Sequence, residues 1–209
     1  MLTLGISSAN SITQVALIED GEVLSEHSSN EGIRTEDLIG HIDHVFKKAG
    51  RKIEDISGIA VTIGPGSYGG LRGALATAKG LSAPLNVPVA GVATLDAVSR
   101  NFEGMEGLVL AALPALKDEF NAALFAVSGK AVKRLTDDFV ITRSRLTEFM
   151  SSVLGEITLA TSGPKLFARA RNVALIGEGK LQNGEASDAL SLVPQYSHDP
   201  NIREYKKGV

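Results

Sequence analysis

Ile59–Ala83 reads IAVTIGPGSYGGLRGALATAKGLSA, and the rest of the chain is interpreted outward from this stretch. It begins with apolar and β-branched residues, which predict one short buried strand. Gly64-Pro65-Gly66 ends that strand, and Ser67 is placed to accept a hydrogen bond from the first free N–H groups of the next segment. The apolar spacing that follows predicts a helix over 69–83, which Pro84 closes because proline cannot continue the hydrogen-bond ladder.

One edge of this predicted helix carries small residues. They are Gly70, Gly73, Thr77 and Gly80. Each interior glycine costs about 1 kcal/mol relative to alanine, so three of them in one helix require a reason. Close approach of another backbone would supply it. The residues alone leave open whether that backbone belongs to the same domain or to a partner protein.

Composition limits the classes of protein to which the chain can belong. A length of 209 residues allows one large domain or two small ones. A net charge of −3 provides no global basic field for nucleic acid, and an aromatic content of 5% leaves few rings for stacking on bases. The absence of cysteine excludes disulfides, thiolate catalysis and Cys-ligated zinc. No apolar run suits a membrane helix and the N-terminus lacks a basic leader, so we expect a cytoplasmic protein.

The predicted elements of the first half follow the order β-β-β-α-β-α-β-α. Its predicted strands are Leu2–Ser7, Thr13–Ile18, Glu22–Ser28 (at an edge), Ile59–Ile63 and Val87–Val92, and its helices are Thr35–Ala49, Gly69–Ala83 and Thr94–Asn101. The first of these helices has an apolar stripe, formed by Leu38, Ile39, Ile42, Val45, Phe46 and Ala49. Acidic residues in the first turn and Gly50 after the last residue also support it.

After a connector the same order begins again. The predicted second-half elements are strands Leu108–Leu113, Phe120–Val127, Ala131–Leu135, Ile157–Thr161 and Asn172–Ile176, a helix capped by Ser144 or Thr147 that contains Leu154, a short helix Pro164–Ala170, a loop Glu178–Asp188 and a charged tail from Tyr196. The repeat predicts an α/β protein with two mixed sheets facing a cleft, divided into domains 1–103 and 104–209.

Gly64–Gly69 matches the dinucleotide pattern G-x-G-x-x-G between a strand and a helix. Three observations argue against that function. The motif follows a meander and a helix, no acidic residue ends the next strand at Val89-Ala90-Gly91, and Pro65 stiffens the turn. A P-loop is excluded because no Lys-Ser or Lys-Thr follows.

Other candidate chemical groups are weaker. His41 and His44 share a face of the first helix, but no third metal ligand has suitable spacing, so a surface position is the better interpretation. Ser7, Ser8 and Ser11 lack the positioned base that a hydroxyl nucleophile needs.

Two residues of the turn and first helical turn are candidate contacts. Tyr68 and Arg72 are placed to contact a partner or an anion, although a simply solvated Arg72 is the alternative. The residues therefore give no catalytic, metal-binding or cofactor-binding site.

The stretch GPGSYGGLRGALATAKGL resembles the signature of the TsaB (YeaZ) family of bacteria. In that family a strand leads into Gly-Pro-Gly-Ser-aromatic-x-Gly-Leu-Arg and then a small-residue helix, and Gly64, Pro65, Gly66, Ser67 and Arg72 all fit. The resemblance extends to Val87–Ala97, to the hairpin Lys117–Phe125 and to Pro194-x-Tyr196. It covers the first half well and the second half thinly.

This resemblance implies an actin/Hsp70-like (ASKHA) fold and a role in making threonylcarbamoyladenosine in tRNA. In that pathway a paralogous subunit, TsaD, carries the metal and modifies adenosine 37 of tRNAs that read ANN codons. The TsaB-type subunit is a non-catalytic scaffold for it, and a small ATPase, TsaE, completes the assembly. The resemblance also implies a homodimer when TsaD is absent, and contact with tRNA through the complex.

The sequence departs from catalytic relatives where they handle phosphate or metal. Ser7 and the turn Ser8-Ala9-Asn10 stand where ATP-using relatives carry Asp and Gly, and the second hairpin has Pro114-Ala115-Leu116 where TsaB relatives often have Asp. Arg34–Leu38 contains neither metal-binding histidine of TsaD. These departures remove ligands that phosphate chemistry needs, which agrees with a non-catalytic role and with no cofactor.

We therefore expect the helices Thr35–Ala49 and Gly69–Ala83 to bind the paralogue as a helical bundle. The predicted interface residues are Leu38, Ile42, Val45, Tyr68, Gly70, Gly73 and Thr77. A Gly73→Leu change should block assembly and leave the monomer folded. The alternatives are a nucleotide-dependent enzyme that uses the Gly64–Gly69 turn, a glycoprotease-like peptidase, and a homodimer with no other partner.

Overall fold

A computed structural model of the chain describes residues 1–29, 37–153, 155–161 and 163–197. The first half forms a five-stranded mixed sheet with the order β3-β2-β1-β4-β5. Its strands are β1 (Leu2–Ser7), β2 (Gln14–Glu19), β3 (Glu22–Ser28), β4 (Gly58–Gly64) and β5 (Val89–Ala93). β1 and β2 form the predicted hairpin, β3 is at the edge as expected, and β4 and β5 continue the sheet in parallel. The predicted element order of the first half is confirmed.

In the described part of the first half, three helices accompany this sheet. They are α1 (Leu38–Ala49), α2 (Tyr68–Leu85) and α3 (Thr94–Ser99), and α3 is extended by a 3₁₀ turn, Arg100–Phe102. Gly50 ends α1 in the left-handed conformation, as predicted, with φ of 63°.

One predicted helix end in the first half is wrong, and another falls outside the described residues. α1 begins at Leu38 after Asp37, whose side chain makes no capping bond, and the predicted cap Thr35, with Arg34 and Glu36, lies outside the described residues. Pro84 lies inside the last turn of α2, and Asn86 ends the helix in the left-handed conformation. Proline is tolerated there because its fixed φ is close to helical and only one hydrogen bond near the end is lost.

The second half forms its own mixed sheet, with the order β10-β6-β7-β8 and β9 paired to the other end of β7. Its elements are β6 (Glu106–Pro114), β7 (Glu119–Ser128), β8 (Ala131–Arg134), β9 (Phe139–Thr142), α4 (Arg143–Ser152), β10 (Ile157–Ala160), a 3₁₀ turn (Pro164–Leu166) and α5 (Ala170–Gln182). β9 is an element that the sequence did not predict. Because β9 ends at Thr142, α4 starts at Arg143, before the predicted caps Ser144 and Thr147. The predicted helix residue Leu154 and the tail beyond Ser197 lie outside the described residues.

The predicted strand Asn172–Ile176 and the first part of the predicted loop Glu178–Asp188 are wrong, because both lie in α5. A short apolar run does not by itself distinguish a strand from a buried helix. α5 packs against the first sheet, where a Cβ on Gly177 would overlap the Cβ of Ala60. The last helix of the second half thus joins the two halves, and the boundary near residue 103 stays a prediction.

Buried apolar residues form three clusters. One lies between the first sheet and α1 and α2, a second is shared by both sheets, and a third lies under α4. Within the described ranges, no helix combines the length and the apolar character needed to cross a bilayer.

Candidate protein-interaction surface

The turn between β4 and α2 is held by hydrogen bonds within the chain. The Oγ of Ser67 accepts a hydrogen bond from the N–H of Gly70 at 3.4 Å, so Ser67 caps α2 as predicted. The N–H of Ser67 donates to the carbonyl oxygen of Ala9 at 2.7 Å. The turn after β4 is thereby fastened to the turn between β1 and β2.

Two glycines of this turn and one at the start of α2 are needed because other parts of the chain come very close to them. A Cβ on Gly66 would collide with the carbonyl oxygen of Ala9, and one on Gly70 would collide with that of Ser8. Gly64 has φ of +128°, and a Cβ there would meet the backbone of Gln195. The close backbone approach that a dinucleotide would require of a G-x-G-x-x-G turn is made here by the chain itself.

Tyr68 and Arg72 lie at the N-terminal end of α2 and contact each other. The guanidinium of Arg72 is 5.1 Å from the centre of the Tyr68 ring and donates to the Tyr68 hydroxyl. The Tyr68 ring also stacks on Tyr196, with ring centres 5.0 Å apart. Burial raises the pKa of Tyr196, Tyr68 adds to the rise, and Arg72 opposes it. Both predicted contact residues therefore form part of an aromatic corner that includes the C-terminal segment.

The predicted interface residues of α1 lie in the core of the chain. Leu38 and Ile42 are each 2% exposed and Val45 is 0% exposed. These side chains pack in the core between α1 and the first sheet, so they are not accessible to a partner in this conformation. The residue of the predicted apolar stripe that is exposed is Ile39, at 61%, and beside it Asp43 forms an ion pair with Lys47 at 2.6 Å.

The outer side of α2 carries a stripe of small residues. Gly69, Gly73, Ala76 and Gly80 recur at intervals of four, three and four positions and are exposed or half-exposed. A Cβ added to Gly69 or Gly80 would meet no atom within 4 Å. Gly70, in contrast, faces inward toward Ser8. Gly73 and the half-buried Thr77 were predicted for the interface, whereas Gly69 and Ala76 were missed although their helical spacing was visible in the sequence.

A groove of about 300 Å³ adjoins this stripe between α1, α2 and the 3₁₀ turn Ile53–Asp55. Its lining includes the apolar side chains of Ile39, Phe46 and Leu81, with charged groups at the rim. We define the helix-pair face as the outer surface formed by Ile39, Asp43, Lys47, Gly69, Gly73, Ala76, Thr77 and Gly80. An apolar groove beside a flat glycine stripe is suited to receive a helix at short interaxial distance.

Three histidines meet where α1 packs on β3. The ring of His27 lies 4.7 Å from that of His41 and 4.5 Å from that of His44, centre to centre. His41 is 9% exposed, and its Nε2 has no hydrogen-bond partner. Burial lowers the pKa of His27. The nearby charges of His41, His44 and Lys48 lower this pKa further, and the charge of Asp37 acts in the opposite direction. No group of three His, Cys, Asp or Glu side chains in the described part of the chain has the arrangement of a metal site.

The histidine contact predicts that acid destabilises the fold. Because the folded-state pKa of His27 is lowered, the unfolded chain binds more protons as pH falls below about 6.5. Stability from this source is present above that pH and is lost as pH falls through the folded pKa. We expect the thermal midpoint to fall between pH 7.5 and 5.5, with a smaller fall in a His27→Phe variant. Equal falls in both proteins would contradict this account.

The topology defines the class of protein. A sheet of order β3-β2-β1-β4-β5, repeated in shortened form by the second half, is that of the actin/Hsp70-like (ASKHA) proteins, and the predicted fold class is confirmed. The solved structure of YeaZ from Pseudomonas aeruginosa has the same fold, with a TM-score of 0.79 at 19% identity over 93% of this chain and 99% of that one.

Sequence comparison then gives the family. The family described as "TsaD: tRNA N6-adenosine threonylcarbamoyltransferase" matches residues 33–189. The threonylcarbamoyladenosine biosynthesis protein TsaB of Bacillus subtilis is 22% identical over 94% of this chain and 93% of its own length. The transferase of Geotalea uraniireducens is 31% identical over 62% of this chain but only 40% of its own length. The chain belongs to this family and, as predicted, to its TsaB (YeaZ) branch.

Proposed function

We propose that the protein is the non-catalytic scaffold subunit in the synthesis of threonylcarbamoyladenosine at adenosine 37 of tRNAs that read ANN codons, and that its helix-pair face binds a TsaD-type paralogue. The observation that carries this proposal is the open space over Gly69 and Gly80. Their lack of side chains costs helix stability and serves no packing within the described chain, and close approach of a partner helix would account for it.

The predicted interface residues have distinct parts in this proposal. Gly73 and Thr77 belong to the helix-pair face, and Tyr68 lies at its N-terminal end. Leu38, Ile42 and Val45 hold α1 in position from within the core. Gly70 brings α2 close to the turn between β1 and β2, and so supports the face from inside.

The proposal of a non-catalytic role is supported at the turn where ATP-using relatives hold phosphate. The side-chain oxygen of Asn10 accepts from the N–H of Ala168 at 3.0 Å, and that of Gln14 accepts from the N–H of Ala170 at 3.2 Å. Ser8 Oγ donates to Thr13 Oγ1 at 3.2 Å. The bonds of Asn10 and Gln14 connect the two halves, the Ser8 bond lies within the turn, and none of these side chains supplies the carboxylate that a Mg²⁺–phosphate complex needs.

The remaining partners of the proposal come from the family resemblance. We propose that a TsaE-type ATPase joins the complex, that the helix-pair face forms a homodimer when the paralogue is absent, and that the assembly works in the cytoplasm. The net charge of −3 supports contact with tRNA through the complex and not by this chain alone.

Removal of the protein from its host tests the pathway. We expect threonylcarbamoyladenosine in digested tRNA, measured by mass spectrometry, to fall to background and to return when the wild-type chain is supplied. An unchanged level in the depleted cells would contradict the proposal.

Calorimetry of the purified chain with Mg·ATP tests the enzyme alternative. The scaffold proposal predicts neither appreciable heat of binding nor turnover. Hydrolysis of ATP by the chain alone would favour a nucleotide-dependent enzyme instead.

A further inference from the structure

A second cavity lies in the cleft between the two halves, beside the Gly64–Gly66 turn. Its volume is about 260 Å³, and Pro65 of the first half contributes to its lining. In the second half, β7 supplies Asn121, β9 supplies Val140, and Asp138 directly precedes β9; the C-terminal segment supplies Tyr196. This cavity is separate from the groove of the helix-pair face and does not depend on the partner proposed there.

The side chain of Asn121 is the unusual feature of this cavity. Asn121 lies opposite Val140 in the β7–β9 pair, so both side chains are on the cleft side of the sheet together with Asp138. Asn121 is 7% exposed, and its side-chain amide makes no hydrogen bond within the described chain. The amide is open to the cavity and can accept and donate two hydrogen bonds each, so a polar ligand there can pair with it.

The charge next to Asn121 favours a cation. Asp138 pairs with Arg134 at 2.6 Å, and Asp96 pairs with the same guanidinium at 2.7 Å. Two carboxylates share one cation, so this group carries one net negative charge. The cavity lining contains no lysine or arginine among the described residues; the charge of Arg72, which acts on Tyr196, is held against the Tyr68 hydroxyl. The ring of Tyr196 in the lining adds an aromatic face, which attracts cations electrostatically.

We propose that this cavity binds a guanidinium group, presented either by an arginine side chain of another protein or by a free small molecule. A guanidinium is planar, carries several donors, is weakly hydrated and stacks on aromatic rings. It can donate to the carboxylate of Asp138 and the amide oxygen of Asn121 at the same time. A compact ammonium has no planar face to stack on the ring.

The test is an NMR titration of the full chain with Nα-acetyl-arginine methylamide. We expect saturable shifts of the Asn121 side-chain amide with a Kd in the millimolar range. The matched citrulline derivative has the same shape without the charge and should bind at least about 10-fold more weakly, which corresponds to 1.4 kcal/mol. Tighter binding of free arginine than of the capped form would assign the ligand to the small-molecule source, and the reverse order to a protein side chain. Both orders support the site.

Two variants make the site assignment falsifiable. Asn121→Leu should weaken binding at least about 10-fold. Val140 is 42% exposed, so Val140→Phe should fill the cavity without disturbing the core and should also weaken binding, even if Asn121→Leu fails to fold. The proposal is overturned if no saturable shift occurs, if citrulline binds as well as arginine, or if a folded Val140→Phe protein binds like the wild type.

Discussion

Gly80→Leu is expected to weaken binding of the TsaD-type paralogue about 10- to 100-fold and to leave the isolated chain as stable as before or more so. A leucine on the glycine stripe would hold a partner helix away from α2, and overpacking of this kind costs about 1–3 kcal/mol. Within the monomer, the space over Gly80 is open. Replacing a helical glycine there should therefore raise the free energy of unfolding by up to about 1 kcal/mol. Titration calorimetry with the paralogue and urea unfolding of the chain alone measure the two effects.

The matched control for this variant is Gly179→Leu. Gly179 lies in α5, away from the helix-pair face, and a Cβ there also meets no atom within 4 Å. It should gain similar stability and bind the paralogue like the wild type. If both variants lost binding equally, the loss would not depend on the position of the leucine, and the glycine stripe would not be the binding surface. Normal binding by Gly80→Leu would remove the stripe from the interface.

Gly70→Ala is expected to lower the free energy of unfolding by about 2–3 kcal/mol, whereas the neighbouring change Gly69→Ala should raise it by up to about 1 kcal/mol. The two glycines are adjacent at the start of α2 but point to opposite sides. A methyl group on Gly70 would collide with the backbone oxygen of Ser8, while one on Gly69 would meet nothing. Urea unfolding of the two variants, compared at equal m values, measures the difference.

This pair of variants also separates the two reasons for small residues in α2. If both substitutions were neutral, the close contact between Gly70 and the turn between β1 and β2 would lose its main support. If Gly70→Ala were destabilising and also lost the paralogue, the loss of binding would follow from unfolding. Gly69→Ala, which adds only a methyl group to a stable helix, is therefore the better variant for a mild effect on binding.

The elements that could be predicted are those with local signals. The turn after β4 and the cap at Ser67 follow from glycine, proline and serine in sequence, and the αL residue Gly50 marks the end of α1. α5 was mistaken for a strand because its core run of Val173 to Ile176 is too short to show a period. Its packing on the first sheet depends on close contact of Gly177 with Ala60, which lies more than a hundred positions away.

The candidate surface shows the same limit. Sequence periodicity found the apolar stripe of α1, but it could not tell which edge of the stripe is covered by β2 and β3. Ile42 and Val45 are covered and Ile39 is not. The direction of each glycine in α2 likewise depends on the turn between β1 and β2, which approaches Gly70 and leaves Gly69 open. Asn121 gave no sequence signal at all, because its isolation arises from the pairing of β7 with the unpredicted strand β9.

The most direct test of the scaffold proposal is reconstitution of threonylcarbamoyl transfer to tRNA from purified components. The chain alone, the TsaD-type paralogue with the ATPase, and all three proteins together would be compared by the amount of modified adenosine formed. The proposal predicts no product from the chain alone and a strong increase when it is added to the other two. Product formed by this chain in the absence of the paralogue, or no increase on its addition, would contradict the proposal.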